Sequence, residues 1–208
     1  MAKANILHNE FTDKKFLNVG GGSKDTIIPE QYNGWKHILL DIDESVAPDI
    51  VCDARKLGTL PAGEFDAIYC SHNLEHYLRH DALKVLQGFL HVLKDDGFAH
   101  IRVPDIQEVM KKVVTSNLDI GDILYNSAVG PISVRDVIYG YEKQIEETGQ
   151  DYYAHKTGFS PQSLKDFMHQ AGFPIVGVGA NSDCYEITAF GFKQAPNEEV
   201  KRLFNING

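Results

Sequence analysis

Apolar residues follow two rhythms along this chain, and the rhythms alternate. Short apolar runs occupy residues 16–19, 36–40, 49–52, 65–70 and 98–103, each bounded by polar or turn-forming residues. Runs of that length predict strands buried on both faces. After the fourth run, Leu83, Leu86, Leu90 and Leu93 recur at helical spacing, and Asp81 is placed to cap that helix. Asp95-Asp96-Gly97 predicts a turn before the fifth strand, and Pro104 ends it. Further on, Ser160-Pro161 pairs a cap with proline at the first helical position. Leu164, Phe167, Met168 and Ala171 make one face of that helix, and Gly172 suits a left-handed cap at its end. Two last strands, over 175–178 and 185–192, are joined through Asn181, Ser182 and Asp183 and predict an antiparallel hairpin. Strands alternating with helices argue an α/β fold with a mostly parallel sheet.

The stretch 105–157 breaks this rhythm. It carries amphipathic fragments such as Val109, Val113 and Val114, and turn signals at Gly121-Asp122 and Gly130-Pro131. It is expected to be an insertion that acts as a lid over the carboxyl ends of the strands. No repeat or linker divides the 208 residues, so a single domain is expected.

Charge and cysteine content narrow the partners. The net charge of −9 disfavours binding to a nucleic acid backbone. No apolar run approaches membrane-spanning length, and residues 1–10 have no core of a secretory signal. Cys52, Cys70 and Cys184 are few and widely spaced, which fits buried thiols in a reducing, cytoplasmic setting.

Candidate chemistry centres on Gly20-Gly21-Gly22 after the first strand and Asp41 at the end of the second. Glycines let a backbone approach a ligand closely. A carboxylate about twenty residues further on can accept both hydroxyls of a ribose. The pair predicts a nucleoside-cofactor site.

Together with Leu17-Asn18-Val19, Leu40-Asp41-Ile42-Asp43, Val51-Cys52-Asp53-Ala54 and the run from Phe65 to His76, these motifs resemble the class I S-adenosylmethionine-dependent methyltransferases. Within them the chain resembles the small bacterial methyltransferase type 11 proteins. The resemblance implies a Rossmann-like sheet of seven strands, mostly parallel, with helices on both faces and a C-terminal antiparallel hairpin. It implies S-adenosyl-L-methionine as cofactor, with Asn18, Gly20, Gly21 and Gly22 near the methionine and ribose. Asp41 and Ile42 would serve the ribose, Asp53 and Ala54 the adenine, and Ser71 and His72 the end of the fourth strand. Asn18 departs from the acid usual in that family, and Lys24 from a further glycine.

Methyl transfer to a hydroxyl needs a base, and histidine suits that role near neutral pH. His72, His76 and His155 are the candidates, with Tyr153 and His155 expected to touch the acceptor. A small molecule or a sugar is the expected acceptor, by O- or N-methylation, and a homodimer is conceivable. Tyr139, Tyr141, Tyr152 and Tyr153 could equally seal the insertion against the sheet.

Three rival readings compete. His72-Asn73-Leu74-Glu75-His76 has the H-x-x-E-H spacing of a zinc site. It directly follows a strand and shows no third ligand, so no metal is expected. A nicotinamide-dependent oxidoreductase would want a full helix after the glycines, yet Ser23-Lys24-Asp25 and Pro29 follow. A non-catalytic cofactor-binding or partner protein with the same fold is the third.

Overall fold

A computed structural model describes residues 13–127 and 130–204. The N-terminal decapeptide read for a secretory signal lies outside them. In chain order the elements are β1 (Lys15–Val19), β2 (Lys36–Asp41), β3 (Ile50–Val51), β4 (Phe65–Ser71), α1 (Arg79–Val92) and β5 (Leu93–Pro104). The insertion contributes α2 (Ile106–Ser116), β6 (Ile123–Ser127), β7 (Gly130–Ser133), α3 (Val134–Tyr139) and α4 (Glu142–Thr148). The chain then adds α5 (Pro161–Ala171), β8 (Ile175–Asn181), β9 (Glu186–Phe192) and α6 (Glu198–Leu203).

One sheet of seven strands runs in the order β3-β2-β1-β4-β5-β9-β8. β1 pairs in parallel with β2 and β4, and β4 with β5, while β9 is antiparallel to both β5 and β8. The order reverses at β1, which opens a crevice above the carboxyl ends of β1, β2 and β4.

Alternation along each strand sorts side chains to two faces. Leu17, Val19, Ile68, Cys70, Ala99 and Ile101 pack beneath α1 and α5, against Leu86, Phe89, Leu164 and Met168. Phe16, Tyr69, Phe98 and Phe192 point the other way, against Tyr32, Trp35 and Val200 of α6. This second face is covered by a 3-10 turn at Glu30–Tyr32 and by α6, and it is aromatic because short elements must fill the space with large rings.

Several local readings need correction. α1 begins at Arg79 with Leu78 at its cap position and no side-chain cap. Asp81 lies in its first turn, where its carboxylate accepts from Lys84 and Arg55. The buried stripe of α1 is Ala82, Val85, Leu86, Phe89 and Val92, with Leu83 and Leu90 only partly buried beside it. Asp95-Asp96-Gly97 is a bulge inside β5: Phe65 pairs with Leu93, then Ala67 pairs with Phe98. Of the three thiols only Cys70 is buried, and Cys184 is exposed.

The insertion is a small layer with its own core of Val109, Ile132, Val134 and Val137. It is tied back to the sheet at its two ends. Asp105 N donates to Tyr185 O (2.7 Å), and Lys156 N and Thr157 N donate to Glu75 O (2.8 and 3.1 Å). Among the described residues no helix is long and apolar enough to cross a membrane.

Candidate active site

A cleft of about 1310 Å³ opens over the carboxyl ends of β1, β2 and β4, with the insertion forming its opposite wall. Asn18, Gly20, Gly21, Gly22, Asp41, Ile42, Asp53, Ser71, His72, His76, Tyr153 and His155 all line it. Ala54 does not; it is buried in the core beneath α1.

The glycine turn is shaped by its neighbours. Gly20 and Gly22 both take φ +67, a left-handed backbone that disfavours side chains. A Cβ on Gly20 would lie 2.0 Å from Asn73 Nδ2, and one on Gly21 would lie 2.2 Å from Asn18 Nδ2. A Cβ on Gly22 would meet nothing within 4 Å, so its backbone borders open space. Asp41 stands across that space. Its Oδ2 accepts from Gly22 N (3.1 Å) and its Oδ1 from Asp43 N (3.1 Å). Each oxygen keeps acceptor capacity for a ligand hydroxyl. Asn18 is buried at the base of the cleft, 3.2 Å from His37 Nε2. Asp53 is less available. It caps the 3-10 helix Ala54–Thr59, and Arg55 grips both its oxygens, which lowers its pKa below the usual carboxylate range.

Beyond the glycines, β4 ends in a histidine and carboxylate cluster. His72 has φ +50, a strained backbone for a residue with a side chain. Its Nε2 lies 3.0 Å from Glu186 Oε2, and its Nδ1 lies 3.5 Å from Glu75 Oε1. Burial opposes the charged ring, but the bond to Glu186 and the nearby charge of Glu75 outweigh it and raise its pKa to about 9. Glu186 is fixed in turn by Arg102, whose Nε and Nη2 reach its two oxygens at 2.8 and 2.7 Å. His76 Nδ1 faces Ala154 O (3.2 Å) and its Nε2 faces His72 O (3.1 Å). His155 Nδ1 donates to Val137 O (2.8 Å), which leaves Nε2 as a lone pair. Burial lowers the His155 pKa, so that ring is neutral at pH 7. Tyr152 Oη donates to Asp43 Oδ2 (3.2 Å) and closes the insertion onto the loop after β2.

The sequence profile of the methyltransferase domain matches residues 2–178. The chain belongs to the methyltransferase domain family. Its earlier resemblance to the class I S-adenosylmethionine-dependent enzymes therefore holds, for the cofactor as for the fold. Among curated proteins no sequence matches this methyltransferase significantly. Solved structures do. A SAM-dependent methyltransferase from Archaeoglobus fulgidus superposes with TM-score 0.52 at 15% identity, covering 86% of each chain. A SAM-dependent methyltransferase of Thermotoga maritima, described as a possible histamine N-methyltransferase, gives 0.52 at 17% identity, over 88% of this chain and 83% of that one. PigF with SAH gives 0.53 at 17% identity, over 87% and 56%. At such identities the likeness establishes the fold.

Behind the lining of the methyltransferase cleft stand partners that no local signal paired. Glu186 and Arg102 lie 84 positions apart and meet only because β9 pairs with β5. Asn73 fills the space under Gly20, and its Oδ1 is buried without a hydrogen bond. Glu75 was visible inside the H-x-x-E-H spacing, but that motif does not lie on one helical face. His72 ends β4 and turns to Glu186, while Leu74–His76 form a 3-10 turn.

Proposed function

We propose that this methyltransferase modifies a small hydroxyl- or amine-bearing molecule held between the end of β4 and the insertion. The single observation carrying this reading is the union of the Gly22–Asp41 cradle with the insertion's residues in one cleft. The cradle fits the cofactor: open space at Gly22, and a carboxylate with spare acceptor capacity opposite. S-adenosylmethionine, when bound, supplies an electrophilic methyl group whose departure leaves a neutral thioether.

The chain's own task is then to align the acceptor and exclude water, and positioning can supply several kcal/mol. Asp41 is assigned the ribose hydroxyls, and Gly20 to Gly22 the adjoining backbone contacts. Tyr153 and His155, from the insertion, are assigned to the acceptor. Of the three histidines, His72 is already protonated at neutral pH and cannot take a proton. Both nitrogens of His76 face carbonyl oxygens. His155 Nε2 keeps a lone pair that faces no carbonyl and is free to take a proton. An unprotonated amine acceptor would need neither.

An oxidoreductase reading finds less support. Between β1 and β2 the described chain holds only the three-residue 3-10 turn Glu30–Tyr32, so no helix N-terminus stands ready for a pyrophosphate. Titration calorimetry with S-adenosylmethionine, S-adenosylhomocysteine and NAD tests the choice. The first two should bind and NAD should not; binding of NAD alone would overturn the assignment.

A further inference from the structure

Glu75 poses a problem that the methyl-transfer reading leaves unsolved. Its carboxylate is 1% exposed, and neither oxygen accepts a hydrogen bond. A buried carboxylate without hydrogen bonds is costly, and the charge on His72 offsets only part of that cost. The nearest nitrogens are His72 Nδ1 at 3.5 Å and His155 Nε2 at 3.9 Å. His72 is committed to Glu186 at 3.0 Å. His155 Nε2 is a lone pair, because Nδ1 carries the proton given to Val137 O. An anion and a lone pair therefore face each other, and the one cation beside Glu75, His72 at 3.5 Å, is shared with Glu186.

His76 joins this gap. Its ring stands 4.9 Å from that of His155, edge to face. One donor atom each from Glu75, His76 and His155 lie within 4.8 Å of one another. We propose that these three residues bind a divalent transition-metal ion, and that its remaining positions take the oxygen of a hydroxyl-bearing acceptor.

The surroundings agree with metal ligation in three ways. Two imidazoles and one carboxylate form a donor set suited to zinc, iron or their first-row neighbours rather than to magnesium or calcium. The free nitrogen of a ligating histidine normally donates to a carbonyl or carboxylate, which fixes the ring. His155 does so to Val137 O; a neutral His76 can donate from one nitrogen only, to Ala154 O or to His72 O, and its other nitrogen is then the lone pair left for the ion. Tetrahedral coordination with bonds of about 2.0–2.2 Å needs donors about 3.4 Å apart, so the cluster must contract by roughly an ångström. The contraction is feasible because its parts sit on separate segments, a 3-10 turn after β4 and the irregular segment by which the insertion returns.

The site would also give the insertion a chemical purpose. Three protein ligands leave an open position, as in catalytic metal sites. A hydroxyl bound there loses its proton to water more readily, and its oxygen is held as the anion that attacks the methyl carbon. That last step rests on the methyl-transfer reading; the metal site itself does not.

The test uses the full-length protein, stripped with a chelator and dialysed. Calorimetry with zinc, cobalt(II) and magnesium should give one tight site per chain for zinc and cobalt, and weak or no binding for magnesium. Glu75→Gln and His155→Ala should each weaken that site at least tenfold. His80→Ala, which changes an exposed ring outside the cluster, should not. Binding of S-adenosylhomocysteine to the same proteins, with circular dichroism, verifies folding and separates the two readings. Metal binding without cofactor binding sinks the methyl-transfer assignment and keeps the site. Cofactor binding with no stoichiometric metal, or with metal affinity unchanged in both variants, overturns the site and leaves only a proton between Glu75 and His155.

Discussion

Asp41 shows how a carboxylate can be fixed by its own backbone and still keep acceptor capacity for a ligand. Each of its oxygens already accepts one backbone amide, from Gly22 and from Asp43, which fixes the carboxylate before any ligand arrives. On the proposed assignment, charge-assisted hydrogen bonds to a ribose would form without reorganisation. Asp41→Ala should weaken S-adenosylhomocysteine binding by ~1–3 kcal/mol in calorimetry; a change below about twofold would remove Asp41 from the site. The position of this residue was legible in the sequence because it depends on two local facts, a strand end and a glycine turn. Asp53 was legible only as a position. Its carboxylate is held by Arg55 two residues on, a pairing that spacing alone did not single out. Glu75 was visible only as a motif position and Glu186 not at all, because what makes each unusual is the identity of neighbours brought in from 80 or 84 residues away, His155 for the first and Arg102 for the second.

Elements whose ends are chemically self-contained were readable. α5 is the clearest: Ser160 Oγ accepts from Ser163 N (3.3 Å), Ser163 Oγ accepts from Ser160 N (2.8 Å), and Gly172 takes φ +116 at the far end. These interactions lie within a few residues, so the sequence carries them whole. Ser160→Ala should cost ~0.5–2 kcal/mol of stability in urea denaturation, and Ser160→Asp should restore most of it; equal loss in both would mean that the cap is immaterial. α1 was misplaced for the opposite reason. Asp81 looks like a cap, but Lys84 and Arg55 claim its carboxylate, and Arg55 comes from a different segment. Asp95-Asp96-Gly97 looks like a turn, but pairing with β4 absorbs it as a bulge. Tertiary partners decided both cases.

On the scale of the whole molecule, the two faces of the sheet differ in what they bury, and this has a consequence for acid stability. His100 lies on the aromatic face, 5% exposed, stacked on Phe190 with ring centroids 4.5 Å apart. It is 3.1 Å from Tyr32 Oη, which donates to its Nδ1 while the ring is neutral. Burial, reinforced by the nearby Arg102 charge, lowers its pKa from 6.5 to about 3. The unfolded chain therefore binds this proton from about pH 6.5 downward while the folded chain refuses it until about 3. Stability should be full above pH 6.5 and fall across that window, by on the order of 5 kcal/mol at 1.36 kcal/mol per unit. His100→Phe should lose stability at pH 7, where Tyr32 loses its acceptor, yet show a flatter acid limb in urea melts at pH 7 and 4.5; an unchanged limb would place the acid sensitivity elsewhere. The insertion divides in a comparable way. Its α2, β7 and α3 share a buried core, whereas α4 and the 3-10 turn Asp151–Tyr153 bury no residue fully. Apolar burial is what resists local opening, so the first part should be protected from hydrogen exchange with or without ligand, and the second should exchange quickly when free. Tyr152 and its bond to Asp43 sit in the second part, directly after the loop that follows Asp41. Cofactor product bound at Asp41 should therefore slow exchange over residues 141–156 and leave 106–139 unchanged. The sequence marked 105–157 as one lid because its turn signals are spread throughout, and only the packing separates a fixed base from a short closing segment. High protection over 141–156 that ligand does not alter would make the whole insertion a rigid wall of the cleft.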